Sequence, residues 1–210
     1  PNIPIKDQVL YSDSEIRVEK DYLILDGKVC KSFTVRQYPE QWDITKGIDF
    51  SGDLFQNVKQ INAPFLICLN CEWPDVVKET NVIRRKAMAA SYQAFGPMRK
   101  FFPKLALKKE HFDSFLLSLE ERETPFFGYL NFFFYGDDRE HAAEVSGALQ
   151  SLYRSIGFIL QEDTYIMLPL FLQTLPMGYV SGAQRDLRRR KTFTTSNVSE
   201  LLPVQSEWKG

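Results

Sequence analysis

The sequence predicts an α+β fold, a ferredoxin-like β-α-β repeat sheet with an extra N-terminal β-hairpin and an inserted long helical hairpin. Three observations predict it. Residues 14–37 alternate apolar and polar side chains, notably Tyr22, Ile24, Val29, Phe33 and Val35, on either side of Asp26-Gly27, a tight-turn pair. A stretch free of Gly and Pro from Asp75 to Phe95 is followed, beyond Pro103, by Phe112, Phe115, Leu116 and Leu119 at helical spacing. Residues 126–135, FFGYLNFFFY, hold seven aromatics in ten positions, a composition biased to strand.

Taken in order, the hairpin about Asp26-Gly27 comes first. After Pro39 the chain turns polar, and Asp53 to Val58 reads as a short helix. The apolar run Phe65 to Leu69, bounded by Pro64 and Pro74, is a buried strand. The helix from Asp75 to Phe95 is rich in good helix formers, Arg84, Arg85, Lys86, Ala87, Ala89 and Ala90 among them, and Gly96-Pro97 stops it. With the stripe beyond Pro103 it makes the helical hairpin. Past the aromatic strand, Asp137 with Glu140 three residues on forms a capping-box pattern. The helix it starts carries Ala142, Val145, Leu149, Leu152 and Ile156 on one face, Gly157 ends it, and Phe158 to Leu160 resumes an extended run. The expected organisation is an α+β domain over residues 1–162, with the hairpin inserted at about 75–123, and a hydrophobic segment with a basic linker over 163–210.

The chain of 210 residues is long enough to bury a core without staples. Lys plus Arg number 26 against 27 Asp plus Glu, a net charge of −1, with 44% hydrophobic residues. This composition excludes a disordered chain. It also argues against non-specific nucleic-acid binding over the whole surface, which needs a basic excess. Cys30, Cys68 and Cys71 form no disulfide framework and fit a reducing compartment. Residues 1–10 lack the basic start and apolar stretch of a signal peptide. The most hydrophobic segment, Thr164 to Val180, is interrupted by Pro169, Gln173 and Pro176 and is too short to span a bilayer. It reads as buried core or interface. A start at Pro1 and an end just past Trp208 read as a piece of a longer protein.

Nucleotide chemistry would need a glycine-rich phosphate cradle followed by Lys and a hydroxyl residue, and the sequence has none. No Gly-x-Gly-x-x-Gly occurs, and Gly27-Lys28 is followed by Val29 in a hairpin turn. Cys68-Leu-Asn-Cys71 has the spacing of half a zinc site, but on a strand residues three apart face opposite ways, so two small buried side chains are expected. His111 and His141 are the only histidines, and His141 with Glu140 and Glu144 reads as a solvated polar face. No serine, histidine and aspartate set carries a nucleophile signature. Catalysis within the chain is not expected.

Two groups remain as interaction candidates. Phe127, Tyr129, Phe133 and Tyr135 share one face of the aromatic strand. They could stack bases as in an RNA-recognition module, although the neighbouring Glu123 and Asp137 would repel phosphate. The favoured alternative is a strand covered on both faces, by helices on one and by the 164–180 segment or a partner on the other. The second group is the basic run Arg185, Arg188, Arg189, Arg190 and Lys191, able to attract phosphates or an anionic membrane surface, or to serve as a solvated linker.

Further motifs carry a resemblance. Leu175-Pro176-Met177-Gly178, the Arg188 to Arg190 cluster, Thr194-Thr195-Ser196-Asn197, Leu202-Pro203 and Trp208-Lys209-Gly210 resemble the segment ahead of the nucleotide-binding domain in TraC-type conjugative transfer ATPases of type IV secretion systems. Tyr11-Ser12-Asp13, Asp21-Tyr22-Leu23, Ala63-Pro64-Phe65 and the helical hairpin are similar, in the same order, to the region before the motor in the F-plasmid branch. The resemblance implies a non-catalytic domain of a cytoplasmic ATPase, peripheral to the bacterial inner membrane, that powers pilus assembly and substrate transfer. It implies that ATP and magnesium belong to a motor domain outside this chain, with no cofactor bound here. The implied partners are other subunits of the ATPase oligomer and inner-membrane components of the secretion channel. The alternative is a nucleic-acid-binding module built on the aromatic strand and the basic cluster; an enzyme acting on a small molecule is a third reading.

Overall fold

The computed structural model describes residues 13–40, 42, 44–52, 60–95, 102, 104–176 and 178–202. Among the described residues seven strands form one antiparallel-rich sheet: β1 (Ile16–Val18), β2 (Leu23–Leu25), β3 (Lys28–Gln37), β4 (Phe65–Glu72), β5 (Phe126–Gly136), β6 (Ile159–Glu162) and β7 (Lys191–Phe193). Their order is β1-β2-β3-β5-β4, with β6 also on β3 and β7 on β5. The run β6-β3-β5-β4 is consistent with a ferredoxin-like sheet, and the fold is α+β as the sequence predicts. A 3-10 helix, Ile44–Ser51, stands in the first crossover. The helix expected at Asp53 to Val58, the stop at Gly96-Pro97, the break at Pro103, Met177 and residues 203–210 lie outside the described residues.

The chain divides into two compact units. The first comprises residues 1–70, 129–190 and 200–210, and the second residues 71–128 and 191–199. In the first unit, Asp26 and Gly27 take φ of 49° and 81°, the positive values that a two-residue hairpin requires, and β2 pairs with β3 across them. In β3 and β5, Ser32 stands opposite Phe133 and Phe33 opposite Phe132, so alternate residues go to opposite faces. On one face Phe33, Phe132 and Phe134 lie under helix α3 (Arg139–Ser155), with the Phe132 and Tyr153 rings 4.3 Å apart. Phe50 and Trp42 complete this layer around Phe158. On the other face Leu23, Cys30 and Phe133 pack with Met167 and Phe171 of helix α4 (Met167–Thr174). Within the segment read as buried core or interface, residues 167–174 thus form a short helix lying over the sheet. The strand is covered on both faces.

Two local expectations are corrected. The cap of α3 is Asp138, whose carboxylate accepts from the His141 backbone N–H at 2.8 Å. Asp137 instead receives Lys28 Nζ at 2.5 Å, an exposed ion pair that holds its carboxyl below the usual range. A one-residue displacement of the box follows because Gly136 still belongs to β5, with Asp137 leading out of it. The stretch expected as a basic linker also contains elements: helix α5 (Ala183–Asp186), strand β7 and helix α6 (Thr195–Glu200). Ladder pairing explains this. Lys191, Thr192 and Phe193 align with Gly128, Phe127 and Phe126 at the start of β5, satisfying backbone groups that a free linker would leave to water.

The second unit holds the helical hairpin, α1 (Val76–Phe95) and α2 (Lys104–Glu120). The buried face of α1 is Ile83, Ala87, Ala90 and Ala94, one helical stripe of mostly small residues that lets neighbouring chain approach closely. None of the α2 residues is fully buried. Gly128 lies where a Cβ would stand 2.5 Å from the Phe193 ring, so glycine is what lets β7 dock there.

Candidate functional sites

The most concentrated polar chemistry of the first unit is sealed inside it. Ser32 and Thr34 on β3 and Asn131 on β5 point to the α4 face, where Asp163, just past β6, reaches them. Asp163 is completely buried. Its carboxylate accepts from Thr34 Oγ1 at 2.7 and 2.9 Å, from Ser32 Oγ at 3.1 Å and from Arg189 Nε at 3.1 Å. Ser32 Oγ also lies 2.8 Å from Asn131 Oδ1, as a shared donor between the two acceptors. Burial raises the Asp163 carboxyl above the ordinary aspartate range, outweighing the hydroxyls and the guanidinium that favour its charged form. Tyr129 is also pushed up by burial, with the Asp163 charge adding to it. Tyr129 lies near enough to Thr34 to feel its hydroxyl, yet among the described residues its Oη has no partner in hydrogen-bonding geometry, and neither has Asn131 Nδ2. With its members buried, this network ties the segment after β6 and the loop bearing Arg189 onto the sheet.

That places the sequence candidates plainly. Phe127, Tyr129 and Phe133 are buried, and Tyr135 is half-buried with its ring edge-on to Phe133 at 5.4 Å. Base stacking needs free ring faces. Phe133 instead spends its face on Phe171, 5.2 Å away. The members of the basic run lie in different surroundings. Arg185 is exposed beside Asp186, Arg188 is exposed at a positive φ of 54°, Arg189 turns inward to Asp163, Arg190 is half-buried, and Lys191 opens β7. Cys68 and Cys71 are half-exposed on β4, and Cys30 is buried, its thiol pushed up to about 12 by burial. His141 is fixed: Nδ1 accepts from the Asp137 N–H at 3.2 Å, which leaves Nε2 to donate to the Asn62 carbonyl at 3.0 Å.

The second unit carries two surfaces that sequence reasoning missed. One is a pocket of about 560 Å³ between α1, α2 and β7. Ile83, Phe112 and Phe115 are its apolar lining, and Lys86, Lys108, His111, Lys191 and Thr192 complete it. Lys108, His111, Phe112 and Phe115 share one face of α2 by their spacing. The other is an apolar stripe on α1. At about 100° per residue, Val77, Met88, Tyr92 and Phe95 lie on the side away from the buried alanines, where an amphipathic helix puts polar residues. Tyr92 is 80% and Phe95 79% exposed. The aromatic and methionine spacing was available in the sequence, but only the packing shows which stripe is exposed. Among the described residues no helix is long and apolar enough to cross a membrane.

Against known families, a model described as TraC protein matches residues 1–179. No curated protein matches.

Proposed function

Since the chain belongs to the TraC family and is in that sense a conjugation-related protein, we propose that it is a non-catalytic adaptor domain of a type IV secretion ATPase. In this reading it docks on neighbouring subunits of the ATPase oligomer and on inner-membrane components of the channel during pilus assembly and transfer. The observation that carries the reading is the apolar stripe of α1, Met88, Tyr92 and Phe95, exposed opposite a face that is already buried. Methionine and aromatic side chains are the types that anchor protein interfaces. The motor chemistry, with ATP and magnesium, is assigned to residues outside these 210, because the sequence has no phosphate loop.

The test is sedimentation of the 210-residue chain and of the Tyr92→Asp/Phe95→Asp variant, alone and with other subunits of the secretion machine. Association in the unaltered chain that the variant loses, at unchanged thermal stability, is the expected result. Association that is indifferent to both substitutions overturns the docking role. ATP turnover by the rigorously purified chain overturns the non-catalytic one.

A further inference from the structure

We propose that the pocket of the second unit is a binding site for an organophosphate, a phosphate monoester attached to an apolar body. Three features converge on that chemistry. First, Lys86, Lys108 and Lys191 come from three separate elements, α1, α2 and β7, and line one cavity. Converging cations repel each other, and among the described residues none of the three has a carboxylate within ion-pairing distance. A dense anion relieves that repulsion. Lysine ammonium groups bind phosphate as point charges, and the Thr192 hydroxyl and the His111 ring add directional contacts.

Second, part of the same cavity's lining is apolar. Phe112 and Phe115, one turn apart on α2, and Ile83 on α1 would face whatever the phosphate carries. An inorganic ion would leave these apolar side chains wet, whereas an aromatic or acyl body would cover them. Third, a volume of about 560 Å³ suits a small ligand of that kind. Phosphate monoesters reach a protein free in solution or as a lipid headgroup, and the two sources share this recognition.

The experiment uses the full 210-residue chain and a Lys86→Ser/Lys108→Ser/Lys191→Ser variant. All three side chains are exposed, so the variant should keep the melting temperature. Titration calorimetry with phenyl phosphate should show saturable binding, stronger than inorganic phosphate and weakened about tenfold or more in the variant. Flotation compares phosphatidylcholine vesicles containing phosphatidic acid with vesicles holding phosphatidylglycerol at equal surface charge. A preference for phosphatidic acid, lost in the variant, supports the site and assigns it to a membrane lipid. Phenyl phosphate binding without that preference supports it and assigns it to a free metabolite. Absence of both, or binding that the three substitutions leave unchanged, overturns the proposal.

Discussion

Asp163 shows how one side chain organises the first unit. A carboxylate without solvent is costly, and Arg189, two hydroxyls and the β3 framework are arranged to offset that cost. Removing the cation by Arg189→Leu leaves the carboxylate buried with no ionic partner, and should destabilise the fold by about 3 kcal/mol at pH 7, measured by urea denaturation. The loss should shrink as pH falls and Asp163 takes up a proton. Burial raises the Asp163 carboxyl, so the folded chain holds its proton more tightly than the unfolded chain. Its contribution to stability is therefore greatest below the unfolded value of about 4 and falls as pH rises through the raised folded value. Thermal melts of the unaltered chain and of Asp163→Asn between pH 3 and pH 8 check this. The unaltered chain should lose ground against the variant as pH rises, and a constant difference would show that Asp163 keeps an ordinary titration. None of this was legible beforehand. Ser32 and Thr34 stand two apart on a strand, and Asn131 interrupts an aromatic run, so polar residues at core positions were visible, but Asp163 is distant in sequence and nothing local links it to them.

At the scale of elements, legibility followed the strength of the local pattern. The Asp26-Gly27 hairpin, both long helices, the aromatic strand and the stop at Gly157, with φ of 93°, were all readable, because each rests on periodicity or on a residue with a special backbone preference. The α3 cap was misplaced by one residue since Asp137 and Asp138 both carry the right side chain and only the end of β5 distinguishes them. Single substitutions separate the two: Asp138→Ala should cost about 1 kcal/mol, while Asp137→Ala should leave the melting temperature unchanged, as an exposed pair with Lys28 contributes little. β7 was unreadable for a different reason. Lys191-Thr192-Phe193 is too short to show alternation, and its strand character comes from the partner, Phe126–Gly128. Gly128→Ala should accordingly push the Phe193 ring aside and destabilise by about 1–3 kcal/mol, an overpacking cost that calorimetry would detect.

For the whole molecule, the two units differ in what holds each together. The first is built around aromatic rings in mutual contact, Phe33, Phe50, Phe132, Tyr153 and Phe158 among them, covered by α3 and the 3-10 helix. The second relies on an alanine-rich face of α1, has no fully buried residue in α2, and leaves Tyr92 and Phe95 in solvent. Small buried side chains remove less apolar surface per residue, so the hairpin should open at lower free energy than the sheet. Native-state hydrogen exchange makes this measurable. Amides of α1 and α2 should exchange through sub-global opening, while those of β3 and β5 should exchange only near the global unfolding limit. An adaptor has reason to be built this way, because a marginal hairpin gains most when a partner covers it. If the docking role holds, adding the partner should slow exchange along Met88–Phe95 by a factor that grows with partner concentration, while β3 and β5 stay as they were. Protection that instead appears in the sheet would place the contact elsewhere and remove the hairpin from the interface.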